Sequence, residues 1–234
     1  MRCGVVIVGA GMGTRLGLGI RKAMVPLNGV PLMVRSAEAF AGIDAVDGIV
    51  LVAHPDDHAC LVGEPWGARL RAAGVRAVVG GGERRQDSAL NGIKALADGT
   101  EGVLVHDAAR PFVSRSVVTA VAMALDRAPA AVPAVPVTST IKRAGPDGRV
   151  LETLDRSVLW AAQTPQGGRR RLLEAALERA AREGWELTDD VQAMEKAGHT
   201  PVVVRDSTWN FKVTTAMDLK IAEWVLEAKP WEKE

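Results

Sequence analysis

The stretch VVIVGAGMGTRLG, residues 5–17, runs a β-branched segment into a loop that carries four glycines. A short run that is apolar throughout suits a strand buried on both faces of a parallel sheet. A Gly-rich turn after such a strand lets backbone N–H groups approach a phosphate. The loop fails the dinucleotide fingerprint. Thr14 stands at the sixth position of G-x-G-x-x-G counted from Gly9, and Leu16 stands there counted from Gly11. No acidic residue ends a second strand about 20 residues on, where a ribose would need it. No Gly-Lys-Ser/Thr follows, which excludes a P-loop. The loop carries Arg15 instead and continues through Gly17, Gly19, Arg21 and Lys22. Arg15 and Lys22 supply charge to phosphoryl oxygens, which suits a reaction that builds negative charge on phosphorus. A tight turn with solvated side chains is the plainer alternative for this loop taken alone.

Beyond the loop, apolar strands and amphipathic helices alternate. Strands are expected at 5–8, 48–53, 75–79, 102–106, 130–137 and 200–205. Helical patterns fall at 31–40, 65–74, 84–97, 114–128, 169–184, 188–198 and 214–228, the last opened by a capping box of Thr215 and Asp218. This alternation predicts an α/β fold of three layers: a mostly parallel twisted sheet with helices on both faces. Right-handed crossovers then gather the loops after the strand C-termini along one edge, where open α/β sheets bind ligands. One segment breaks the alternation. Residues 138–160 form two extended pieces around Gly-Pro-Asp-Gly, a turn signal. Its apolar positions, Ile141, Val150, Leu151 and Leu154, need a cover, so this protruding β-hairpin arm is expected to pack on a second subunit in a homodimer. A hairpin folded back on its own chain is the alternative. Residues 1–234 are otherwise read as a single domain.

Composition narrows the function. The chain has 234 residues, with 29 basic against 28 acidic side chains, so no polybasic surface for nucleic acid is expected. Cys3 and Cys60 lack metal-ligand spacing and suggest a reducing compartment, and His54 and His58 read as surface residues. The N-terminal apolar run is too short for a signal peptide or a membrane span, so a cytoplasmic protein without membrane contact is expected.

A second cluster, VHDAARPFV at 105–113, ends a buried strand on the same sheet edge as the opening loop. A carboxylate there, Asp107, can hold Mg²⁺ or a ribose hydroxyl, Arg110 can fork onto a phosphate, and Ala108 and Ala109 leave room for a ligand. An Asp–Arg pair that merely pins the loop is the alternative.

With VGAGMGTRL, RKAMVPL, GGERRQDS, VHDAARPFV, PVTSTIKR, LDRSVLWAAQTPQ, TDDVQAME and NFKVT in this order and spacing, the chain resembles the 2-C-methyl-D-erythritol 4-phosphate cytidylyltransferases over essentially its whole length. The resemblance implies a Rossmann-like nucleotidyltransferase that moves CMP from CTP to a methylerythritol phosphate and releases pyrophosphate in non-mevalonate isoprenoid precursor synthesis. It places CTP against Ala10, Gly11 and Gly13, with Gly82 and Ser88 at the base and ribose. Arg15 and Lys22 match the residues that stabilise the pentavalent phosphorus, and Arg156 and Lys212 match the pair that holds the acceptor. Asp107, Ala108, Arg110, Thr140, Thr164 and Thr188 match residues that line the acceptor site, and Arg156 and Thr140 reach the partner subunit's site. The reaction implied needs a divalent cation, Mg²⁺, on the triphosphate. Two departures stand out. Arg21 and Ala23 flank Lys22 where the family has Pro and Gln, with Arg21 expected to face water, and Val8-Gly9 replaces the usual Pro-Ala. Ribitol 5-phosphate cytidylyltransferase shares the fold and the nucleotide and is the nearest alternative. A regulatory module without turnover would have lost Arg15, Lys22 or Lys212, and all three are present.

Overall fold

The computed structural model describes residues 1–11 and 19–229. In chain order the elements are β1 (Cys3–Val8), β2 (Pro26–Leu27), β3 (Val30–Pro31), α1 (Leu32–Glu38), β4 (Val46–Ala53), α2 (Pro55–Val62), α3 (Trp66–Ala72), β5 (Val75–Gly80), α4 (Arg85–Lys94) and β6 (Gly102–Asp107). There follow α5 (Arg115–Ala124), β7 (Ala130–Pro136), β8 (Lys142–Ala144), β9 (Val150–Thr153), β10 (Trp160–Ala162), β11 (Gln166–Arg169), α6 (Arg170–Glu183), α7 (Asp190–Lys196), β12 (Val202–Arg205) and α8 (Ala216–Ala228). Short 3-10 turns lie at Lys22–Met24 and Arg156–Val158.

Eight strands form the central sheet in the order β10-β7-β11-β6-β1-β4-β5, with β12 also paired to β7. The β1–β4, β1–β6, β4–β5 and β7–β12 pairs are parallel, while β11 runs antiparallel to β6 and β7, and β10 to β7. Successive side chains of a strand point to opposite faces, and the core divides accordingly. Val5, Ile7, Ile49, Leu51 and Leu104 pack with Met33, Phe40, Leu61, Leu70 and Val118, which belong to or flank α1, α2, α3 and α5. Val6, Val50, Val52, Val103 and Val105 pack with Ala89, Ile93, Leu173, Leu177 and Met194 of α4, α6 and α7. The three expected layers are therefore present, and all six expected sheet strands occur.

β10 and β11 were not foreseen. Gln166-Gly167-Gly168 of β11 has little strand propensity, yet a Cβ on Gly167 would meet Val121 at 2.7 Å and one on Gly168 would meet Leu173 at 3.0 Å. The tertiary need for thin strands under α5 and α6 overrides propensity there. Short β2 and β3, and helix α2 opened by Pro55 after an N-cap at His54, were also missed.

The expected arm is a β8–β9 antiparallel hairpin whose strands pair with no other strand among the described residues. Val150 and Leu151 are 61% and 62% exposed, whereas Ile141 and Leu154 are half-buried. Among the described residues no helix is long and apolar enough to cross a membrane.

Helix α4 lies close on the sheet because Gly92 has no side chain; a Cβ there would collide with Val6 Cγ1 and come within 2.7 Å of Val52 Cγ2. Gly92→Leu is expected to lift α4 from the sheet and to lower unfolding free energy by about 1–3 kcal/mol, the usual cost of overpacking, as read from urea denaturation.

Candidate active site

Because β1, β4, β5 and β6 are parallel, their C-terminal ends fall on one edge of the sheet. There they enclose a cavity of about 460 Å³, lined by Val8–Gly11 after β1, His54 after β4, Gly82–Arg85 and Ser88 around the start of α4, and Asp107–Ala109 after β6. Lys22, Ala23 and Lys212 complete its wall. Close backbone approach fixes its shape. A Cβ on Gly9 would strike Met33 and come within 2.9 Å of Ala23 and Ala108, while a Cβ on Gly81 would strike Ala10. Around Gly11 a Cβ would meet nothing within 4 Å among the described residues. Ser88 Oγ accepts from Gly82 N–H at 3.0 Å and donates to Arg84 O at 3.2 Å, which ties the glycine turn to the first turn of α4.

The floor of the cavity is an ion cluster. Asp107 Oδ1 accepts from Arg85 Nε at 3.1 Å, Lys212 Nζ lies 2.8 Å from Oδ2, and Arg110 Nε lies 3.7 Å from Oδ2. Burial alone would raise the Asp107 pKa, but Arg85, Lys212 and Arg110 reverse this and hold it well below the usual carboxylate range. Arg85 also reaches the fully buried Asp190, with Nη1 at 2.8 Å from Oδ2. Burial raises the Asp190 pKa, and Arg85 opposes that rise. The α7 start is drawn in by two buried amides. Gln86 donates to Trp185 O and accepts from Leu187 N–H, while Gln166 donates to Asp189 Oδ2 and accepts from Val191 N–H.

Neutral groups set the backbone beneath the cluster. His106 is fully buried, and burial lowers its pKa from 6.5 to about 4. Its Nε2 lies 2.9 Å from Arg110 O, which only accepts, so that nitrogen carries the proton. Its Nδ1 therefore accepts from Thr164 Oγ1 at 2.9 Å, and Thr164 Oγ1 accepts from Asp107 N–H at 3.1 Å. Phe40 meets the imidazole edge-on, with centroids 5.0 Å apart. Arg110 Nη1 donates to Asn210 O at 2.7 Å, and Asn210 donates to Thr164 O at 2.7 Å, which joins the segment bearing Lys212 to the same frame.

The chain matches the profile of the family "2-C-methyl-D-erythritol 4-phosphate cytidylyltransferase" over residues 3–228. It belongs to that family. The enzyme of that name from Geobacillus thermodenitrificans is 40% identical over 225 residues, covering 96% of each chain. The bifunctional enzyme IspD/IspF of Clavibacter michiganensis is 46% identical over 95% of this chain, which spans only 54% of that relative's length. The crystal structure of the Thermus thermophilus cytidylyltransferase superposes with a TM-score of 0.77 at 31% identity, covering 97% of this chain and all of the other. As a family member the chain is a nucleotidyltransferase with a Rossmann-like core.

In this family member, the structure brings Ala10, Gly11, Lys22, Gly82, Ser88, Asp107, Ala108 and Lys212 around one cavity. Gly13 and Arg15 lie outside the described residues. Other expected site residues sit elsewhere. Thr164 is buried behind the cavity, its hydroxyl spent on Asp107 and His106. Arg110 is not among the lining residues; its guanidinium is engaged by Asn210 and Asp107 rather than forked toward the cavity. Thr188 is exposed just before α7, its N–H held by Gln192 Oε1 at 2.9 Å. Thr140 and Arg156 are exposed on the arm, with Arg156 Nη1 donating to Thr138 O, and neither lines this chain's cavity. Arg21, expected to face water, is instead held by two carboxylates of α2 and left 23% exposed. His54, read as a surface residue, lines the cavity with Nδ1 accepting from Asp56 N–H. Asp107, expected as a metal ligand, has both oxygens met by cations, and among the described residues no three His, Cys, Asp or Glu side chains gather to hold a metal. The described side chains therefore do not gather into a metal site of their own. Arg85 and Asp190 were missed, although Arg85 stands within GGERRQDS and Asp190 within TDDVQAME.

His106 gives stability a defined dependence on pH. Its pKa is about 4 folded against 6.5 unfolded, so between these values the unfolded chain binds the extra proton and stability falls as pH falls. Urea unfolding should lose about 1.4 kcal/mol per pH unit from this group between roughly pH 6 and pH 4.5, and His106→Gln should remove that part of the slope.

Proposed function

We propose that the chain transfers CMP from CTP to 2-C-methyl-D-erythritol 4-phosphate and releases pyrophosphate, working as one catalytic domain within a homodimer. The observation that carries this reading is the cavity in which Lys22 and Lys212 share a wall with the Gly9–Gly11 and Gly82–Ser88 turns. The triphosphate lies along the opening loop, and the base lies against Gly82 and Ser88. The acceptor is a phosphate monoester, already largely dianionic at neutral pH, so attack on the α-phosphorus needs no general base. The barrier is repulsion between anions. Two unit charges 4 Å apart repel by roughly 4 kcal/mol at an effective dielectric of 20. Arg15 and Lys22 offset the charge that develops on phosphorus, while Lys212 and Arg156 align the acceptor phosphate in line with the departing pyrophosphate.

Mg²⁺ is proposed to arrive on the triphosphate, whose oxygens supply its ligands. Bound there, it supplies charge neutralisation to the leaving group. Thr140 and Arg156 act on the partner's cavity. Their exposure on an arm with uncovered Val150 and Leu151 supports this, since the apolar face and the two polar residues are then used together. A reducing cytoplasmic setting is in keeping with two unpaired cysteines.

Pyrophosphate release measured with CTP and each candidate polyol phosphate tests the reading. Turnover with the methylerythritol phosphate and at least tenfold less with ribitol 5-phosphate is expected, while the reverse ranking assigns the ribitol reaction and no release with either refutes the enzyme reading. Lys22→Ala should lower kcat by about a hundredfold, the scale of one lost preorganised charge contact. Mixing inactive Lys212→Ala with inactive Arg156→Ala protein should restore about a quarter of parental activity, because half of randomly paired dimers carry one intact site of two. Absence of recovery after subunit exchange argues that each arm serves its own chain.

A further inference from the structure

We propose that the ion pair between Arg21 and Asp57 is a positioning device for Lys22. The inference rests on the reading of the cavity as a CTP site. Arg21 Nε donates to Asp57 Oδ2 at 2.7 Å and Nη2 to Oδ1 at 2.6 Å, a side-on fork, while Nη1 donates to Asp56 Oδ2 at 3.2 Å. The anchor is firm. Asp57 is buried in the first turn of α2, its N–H donates to His54 O at 2.9 Å, and Leu61 fastens the same helix to the core. The Arg21 side chain itself is only 23% exposed.

The other end of this contact is the backbone that carries Lys22. Met24 N–H donates to Arg21 O at 2.9 Å and Val25 N–H to Lys22 O at 3.2 Å, so Arg21 opens the 3-10 turn in which Lys22 sits. On the far side of Lys22, Ala23 is buried, with its methyl packed toward Gly9. Lys22 thus lies between a buried methyl and a pinned guanidinium. Without the Arg21–Asp57 contact the start of the turn loses its tether to α2, and a charge misplaced by about 1 Å is enough to cost a large factor in rate.

Arg21 adopts φ −63° and ψ 137°, and a proline ring would impose that φ covalently. In this chain, where the resemblance leads one to expect proline, two carboxylates achieve the same restraint by charge. Arg21 therefore adds no net charge for the phosphates; it is a positioning residue that acts through Asp57.

A double-mutant cycle on the full chain, read by CTP titration and by steady-state turnover, tests this. Arg21→Ala and Asp57→Asn should each lower kcat about tenfold and weaken CTP binding, with the acceptor KM within about twofold of the parent. The double variant should be no worse than either single one, since one interaction is lost only once. Arg21→Pro, which keeps φ without the charge, should recover most of the rate lost in Arg21→Ala. Three results overturn the proposal: parental turnover in Asp57→Asn beside an impaired Arg21→Ala, losses that multiply in the double variant, or Arg21→Pro no better than Arg21→Ala. A parent that binds no CTP refutes the functional reading instead, whereas an active parent matched by both single variants refutes the positioning role alone.

Discussion

A buried carboxylate tolerates its desolvation only when cations meet it, and Asp107 at the end of β6 is met by three. Each comes from a different part of the chain. Arg85 opens α4, Arg110 lies one turn beyond Asp107, and Lys212 follows Asn210 near the C-terminal helix. One charge thereby fixes the distances among segments that sequence separates by up to 127 residues. The cluster holds three cations and two carboxylates, Asp107 and Asp190, so it carries a surplus of one positive charge before Lys22 is counted. Cations assembled without a carboxylate would repel one another; the acid lets them sit together and leaves a modest surplus facing an anionic ligand. Preorganisation of this kind removes the cost of gathering charge at the moment of reaction.

Charge alone would leave the geometry loose, because ion pairs are poorly directional. Neutral hydrogen bonds supply the direction. His106 cannot keep a proton on both nitrogens at neutral pH in its buried setting, so its one N–H goes to Arg110 O and its lone pair to Thr164. That chain sets the turn from Asp107 to Arg110, and Asn210 extends it to the Lys212 segment. The two glutamines do the same for the 185–191 segment, each using both ends of one amide. Gln86, Gln166 and the Thr164 hydroxyl each have a partner on both the donor and the acceptor side, which is the condition under which a buried polar network stiffens a fold.

The sheet was legible because period-2 burial on two faces leaves β-branched runs that nothing else explains, and the helices because their apolar stripes repeat at helical spacing. Thr215 and Asp218 form the expected capping box. What stayed hidden had weak local signals. Gly167 and Gly168 make a strand because helices need room above them, a reason that lies in distant residues. The cavity wall was foreseen at residues that end strands, where topology dictates the edge. It was misjudged where a side chain's partner is remote: Arg21 finds Asp57, Arg85 finds Asp190, and the Thr164 hydroxyl finds His106, and none of these pairs is near in sequence. Arg110 shows the same limit from the other direction, since an arginine beside an aspartate in a loop looks free until Asn210 is folded against it.

Under the proposed function, the nucleotide half and the acceptor half of the site differ in how they are built. Among the described residues, Ala10, Gly11, Gly82 and Ser88, which would meet CTP, follow strand ends or lie on the first turn of α4, against a sheet packed on both faces. Thr140 and Arg156 instead lie on a two-stranded arm whose strands, among the described residues, pair only with each other, and an isolated hairpin is marginal in water. Under the proposed dimer this asymmetry has a physical use. A rigid half holds the triphosphate and its in-line geometry without help, while the arm brings the acceptor's cations only when a second copy covers Val150 and Leu151. In the proposed dimer, keeping part of the positive charge on a separate chain would also limit repulsion among cations within one subunit, because Lys212 and Arg156 would come together only where an anionic phosphate lies between them.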